Sequence, residues 1–213
     1  MNRRSTASCR RRRSGEWKAG FGSFWPKGNH FLGTVGAIVP GEVAPIAVAA
    51  APGVQLATGV LVLYADDLSF TFMTPQGHMF GGWITFSASQ GASGTELDIA
   101  ILMRAGDPLY EIAMPIMMRK EDQAWSAVLG SLSRHLGATS VNVREETTVV
   151  DWRRLWRNWV NVWHNAGIRS VLWTSHRPCE PSRRGCGRRG QGDPAREESA
   201  VVSIVISCSN ATA

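Results

Sequence analysis

Hydrophobic and polar positions alternate from Ser69 to Met73, with Phe70 and Phe72 on one face and Thr71 and Met73 on the other. An antiparallel strand with one face on a core and one in water produces that pattern. It recurs from Gly82 to Ala88, where Trp83, Thr85 and Ser87 oppose Ile84, Phe86 and Ala88. A looser version runs from Glu96 to Arg104, with Leu97, Ile99 and Ile101 on a shared face. Thr74-Pro75-Gln76-Gly77 and the polar stretch Gln90 to Gly94 supply turn chemistry between these runs, so the three strands form a meander. Upstream, Phe31 to Val39, Val43 to Ala50 and Val54 to Tyr64 read as further strands, punctuated by Pro40-Gly41, Pro52-Gly53 and Asp66-Asp67.

The period changes after Asp107. Leu109, Ile112, Ala113, Met114, Pro115, Met117 and Met118 make a Met-rich approach, and the spacing then predicts a helix over 121–137. Trp125, Val128, Leu129, Leu132 and Leu136 fall on one stripe. Glu121 and Asp122 stand in the predicted first turn and Arg134 and His135 in the last, matching the helix dipole, and Gly137 is placed as the C-terminal cap. Burying the stripe is worth about 10 kcal/mol before entropy is charged. The helix must therefore lie on apolar surface, and the sheet is the large partner available. A second helix is predicted from Asp151, with Trp152, Leu155, Trp156, Trp159, Trp163 and Ala166 on one stripe and Arg153, Arg154 and Arg157 off it. A lone apolar stripe is expected to pack inward. The alternative is that Trp152, Trp156, Trp159 and Trp163 contact an anionic membrane surface.

Four segments follow: a disordered basic tail over 1–28, an α+β domain over 29–137, a linker with the Trp/Arg helix over 138–177, and a disordered tail over 178–213 in which VVSIVIS is at most a stray strand. With 44% hydrophobic residues the 213-residue chain can build a core. The net charge of +6 comes from its ends, through Arg3, Arg4 and Arg10 to Arg13 and the arginines between Arg153 and Arg189. Basic ends suit anionic partners. A nucleic acid is disfavoured, since no RNP, KH or OB signature accompanies the aromatics. Cys9, Cys179, Cys186 and Cys208 form no C-x-x-C pair, so neither a disulfide framework nor a zinc motif is indicated, which suits a reducing, cytoplasmic compartment. The apolar stretch 43–65 is long enough to span a bilayer, but Pro45, Pro52, Gly53, Gln55 and Gly59 favour two buried strands.

Thr74-Pro75-Gln76-Gly77-His78, then Gly81-Gly82 and Phe86, then Asp107-Pro108-Leu109-Tyr110-Glu111 leading into a helix, resemble an uncharacterised branch of the START-like (SRPBCC, helix-grip) superfamily. The resemblance covers about residues 69–137. It implies a curved antiparallel sheet gripping a long C-terminal helix around a hydrophobic cavity, with Phe72, His78, Trp83, Phe86, Arg104, Trp125, Leu129 and Leu132 as wall candidates. The expected function is non-catalytic binding of a small apolar molecule or lipid. A cyclase-like enzyme is the rival, and it needs His78 and Asp107 to converge inside the cavity. Taken alone, His78 reads as a turn histidine bonded to a neighbouring carbonyl, and Arg104, Asp107 and Glu111 as a salt-bridge cluster. No metal or cofactor motif is present.

Overall fold

A computed structural model describes residues 15–33, 38–51, 54–91, 94–138, 140–153, 156–175 and 202–211. Its strands are β1 (His30–Phe31), β2 (Val43–Ala51), β3 (Val54–Ala65), β4 (Ser69–Met73), β5 (Phe80–Gln90), β6 (Gly94–Ala105), β7 (Val141–Val149) and β8 (Val202–Ala211). They form a single curved, open sheet in the order β1-β2-β3-β4-β5-β6-β8-β7, antiparallel at each pairing. The helices are α1 (residues 15–19), α2 (Pro108–His135) and α3 (Ala166–Ser175), with 3-10 segments at Phe21–Phe24 and Trp156–His164.

The alternating strands do what their pattern predicts. Phe70 pairs with Phe86 and Phe72 with Ile84 across β4 and β5, and Phe86 and Ile84 continue to Ile99 and Ile101 of β6. All six are buried. The register thus stacks one apolar row across three strands. The apolar stretch 43–65 is the β2–β3 hairpin. No helix among the described residues is long and apolar enough to cross a membrane.

Helix α2 lies on this row through Val128, Leu129 and Leu132. It begins at Pro108, well before the predicted start at Glu121. Asp107 is its N-cap, accepting from the N–H groups of Leu109 and Tyr110, and Pro108 occupies the first helical position, where its missing N–H costs nothing. Pro115 is carried inside the helix. The far end closes as predicted. Gly137 has φ of +79°, its N–H bonds Arg134 O, and Ala138 N–H bonds Ser133 O, the two bonds of a Schellman cap. The long helix is central in the chain, however. The expectation of a C-terminal helix does not hold, because β7, the 3-10 segment, α3 and β8 follow it.

The predicted tails need correction too. From residue 15 the N-terminal segment is ordered, and it fills the concave side of the sheet. Trp17 is fully buried and meets Phe70 and Phe86 edge-on, Phe21 packs on Phe70, Phe72 and Phe86, and Trp25 meets Trp125. With the buried Phe24, these irregularly spaced aromatics anchor a segment that has no period of its own. Val141–Val149 is a strand rather than a linker, and 202–211 is inserted between β6 and β7. Of the predicted tails, 1–14 and 176–201 lie outside the described residues.

The Trp/Arg stretch folds as a 3-10 segment and a short helix instead of one α-helix, with the break at Asn165. Asn165 is buried. Its Oδ1 accepts from Ile168 N–H at the start of α3, while its Nδ2 donates to Asp107 Oδ2 at 2.7 Å. The β4–β5 turn touches the same place: Ala166 N–H donates to Gly77 O, and a Cβ on Gly77 would stand 2.1 Å from His164 O. Gly77 also has φ of +88°. Gly77→Ala is expected to lower stability by about 1–2 kcal/mol, read as an earlier urea midpoint. An unchanged midpoint would show that the turn is not clamped there.

Candidate functional site

A cavity of about 110 Å³ lies between the sheet and α2. Ile46 and Val60 come from the β2–β3 hairpin, Phe72 from β4, Ile84 from β5, and Ile101 and Met103 from β6. Ala124, Trp125 and Val128 of α2 form the lid, and Trp25 closes one side. A small-molecule site ordinarily encloses about 300 Å³ or more. An apolar cavity of roughly 150 Å³ accepts benzene. At about 110 Å³ this interior falls short of both: a whole lipid is too large for it, and one small ring enters only with some displacement of the lining side chains.

Asn29, Thr74, His78 and Glu121 are polar side chains lining this apolar space, beside the indole of Trp25; Asn29 is engaged by Ala49 N–H and Thr74 by the backbone of Gly82. Glu121 stands on the inward stripe of α2, one turn before Trp125, and its Oε1 accepts from Trp125 Nε1–H at 2.7 Å. Burial pushes its carboxyl up to about 7, against the opposing effect of the Trp125 hydrogen bond and with a smaller push from Asp122. His78 enters from the β4–β5 turn. Its Nδ1 accepts from Phe80 N–H at 3.0 Å and lies 2.9 Å from Phe80 O, so it is bonded locally as a turn histidine. Burial drives its pKa down to about 4, although the Phe80 bond works the other way. The ring is neutral at pH 7. Its Nε2 has no partner among the described residues. Among the described residues, the buried indole N–H groups of Trp17 and Trp25 find no acceptor. That of Trp17 sits in the aromatic core, whereas Trp25 borders the cavity.

The predicted wall residues scatter. Phe72, His78, Trp83 and Trp125 border the cavity. Trp83 is 48% exposed, since Ile84 and Phe86 take the inward positions of its strand. Phe86, Leu129 and Leu132 are completely buried and fill solid core beside the void. Arg104 is partly buried on β6, next to the inward Met103, and does not reach the cavity. Asp107 does not converge with His78. Both its oxygens are engaged, one in capping α2 and the other with Asn165. Sequence reasoning missed Glu121 and Trp25. Glu121 was legible: it precedes Trp125, Val128 and Leu132 by 4, 7 and 11 residues, which places it on their stripe. Trp25 carries no such signal, because its placement comes from tertiary packing.

Among the described residues, no three His, Cys, Asp or Glu side chains come together as metal ligands. The site can offer hydrogen bonds and apolar contact, with one carboxyl that is half protonated near neutrality. No family model matches the chain, and comparison with curated proteins and with solved structures likewise gives no match.

Proposed function

We propose that this protein binds a small, neutral, apolar molecule carrying one oxygen, held beneath α2 without chemical conversion. The observation that carries the proposal is an apolar cavity lined by Trp25, whose indole N–H has no acceptor among the described residues, and by the partly buried Glu121. A buried donor without an acceptor loses its hydration for nothing. A ligand oxygen would satisfy it. A protonated Glu121 can donate to that oxygen, and an ionised one would repel a carboxylate ligand. The START-like kinship belongs to the same proposal. An antiparallel sheet with a long helix laid on it supports it, while the central position of that helix departs from the expected order.

Phenol, toluene and benzoate make a direct test by titration calorimetry. Phenol is expected to bind, with toluene weaker and benzoate at least about tenfold weaker than phenol. Ala124→Leu grows into the void and is expected to abolish phenol binding while leaving the protein folded. Equal binding of toluene and phenol would remove the role of the oxygen and keep the cavity. Heat effects absent for both would remove the cavity site itself.

A further inference from the structure

The tryptophans of the C-terminal stretch are not buried as their stripe predicts. Trp152, Trp159, Trp163 and Trp173 are between 62% and 81% exposed, and Trp156 has a side chain outside the described residues. The exposure does not come from a loose segment. Asn165 holds Asp107, Gly167 N–H donates to Tyr110 Oη at 3.0 Å, Ala166 N–H donates to Gly77 O at 2.8 Å, and Ala57 N–H donates to Ser170 Oγ at 3.3 Å. A backbone pinned at both the helix and the sheet nonetheless leaves its largest apolar side chains in water. Exposed Val160, Val171 and Leu172 add to them. Leu109, Ile112 and Ile116 extend the apolar surface along α2, from the end that Asp107 ties to Asn165.

The charge of the stretch selects the occupant. Residues 151–180 contain five tryptophans and five arginines against two carboxylates, of which Asp151 pairs with Arg153 at 2.8 Å, so the stretch keeps a net charge of +3. A second copy of the same surface would be repelled by its arginines. Single-stranded nucleic acid would stack on the indoles but gains little from the aliphatic side chains among them. Indoles that favour the water–lipid boundary, aliphatic groups that favour acyl chains and cations that favour anionic headgroups match a single partner. We propose that the exposed Trp152, Trp159, Trp163 and Trp173, with the exposed edge of α2, dock this protein on an anionic bilayer surface.

The full chain is mixed with phosphatidylcholine vesicles, with or without phosphatidylserine, and sedimented. Binding to the anionic vesicles is expected to be at least about tenfold tighter than to the neutral ones and to weaken with salt. Trp159→Ala with Trp163→Ala is expected to weaken it about tenfold again. Leu63→Ala, which removes an exposed side chain on β3, is expected to bind like the parent protein. Should the double variant fail to fold, quenching of native tryptophan emission by brominated acyl chains provides the second readout. A protein that stays in the supernatant, binds both vesicle types equally, or shows no quenching overturns the proposal. So does binding to a single-stranded oligonucleotide with none to vesicles.

Discussion

Replacing Asp107 by alanine is expected to destabilise the protein by roughly 2–5 kcal/mol. The residue is 5% exposed and does two things at once. Its Oδ1 caps α2 through Leu109 and Tyr110, and its Oδ2 accepts from Asn165 Nδ2 at 2.7 Å. Loss of the cap is worth about 1–2 kcal/mol. Loss of the second bond strands a buried amide, which adds about 1–3 kcal/mol. Asn165 itself caps α3 through Ile168 N–H, so the damage passes from one helix N-terminus to the other. Asp107→Asn separates the two contributions. It keeps an acceptor for the cap but offers Asn165 a second amide, so it is expected to fall between the parent and the alanine variant. Urea unfolding measures both, and thermal unfolding should move by about 2–4 °C per kcal/mol for a chain of this length. A loss below about 1 kcal/mol for the alanine variant would mean that α2 and α3 are not joined at this point.

Glu121→Gln is expected to make the protein more stable than its parent at alkaline pH, and no more stable at acid pH. The folded-state pKa of Glu121 is raised from 4.5 to about 7. A carboxyl with a raised folded pKa binds its proton more tightly in the folded state, so its contribution is complete below about pH 4.5 and is lost as pH rises through 7. At 1.36 kcal/mol per pH unit the loss amounts to roughly 3 kcal/mol. Glutamine retains an acceptor for Trp125 Nε1 and cannot ionise. The stability difference between variant and parent should therefore grow from near zero at pH 4.5 to about 3 kcal/mol at pH 8. His78 acts in the opposite sense. Its pKa is depressed to about 4, so its contribution is present above 6.5 and lost as pH falls toward 4. Between pH 4.5 and 6.5 the two nearly cancel in the parent. Asp122, raised to about 6 by burial and by Glu145, adds to the Glu121 trend. The difference between variant and parent isolates Glu121 from both. A difference that stays flat across this range would place Glu121 in water.

The legible parts of the fold are those where a local period coincides with burial. β4, β5 and the inward row of β6 alternate cleanly because one face packs on a core and the other does not. The end of α2 was legible because Gly137 does there what only a glycine does cheaply. The start of α2 was obscured by Pro115, a residue that ordinarily breaks helices, although Asp107-Pro108 is a strong initiation signal. Trp17, Phe21, Phe24 and Trp25 follow no period, so nothing local marks them as core. Their burial depends on a concave sheet assembled from residues far along the chain. β7 is almost wholly polar, with burial that barely alternates, so its sequence reads as no more than a short strand-like link, and its pairing with β8 is what makes it part of the sheet. At the cavity, Phe72 and Trp125 followed from their faces. Trp83 and Phe86 were proposed together although they stand on opposite faces of β5, and exposure separates them. The helix starts at Pro108, thirteen residues before Glu121, so reading Glu121 as a first-turn residue hides its place on the inward stripe.

The central claim is that the space beneath α2 accepts an oxygen-bearing ring. Crystals soaked in phenol test it most directly. The account predicts density for one ring among Phe72, Trp125 and Val128, with its hydroxyl within hydrogen-bonding reach of Trp25 Nε1 or Glu121. An interior still empty at saturating phenol, with Trp25 and Trp125 where they are now, would contradict it.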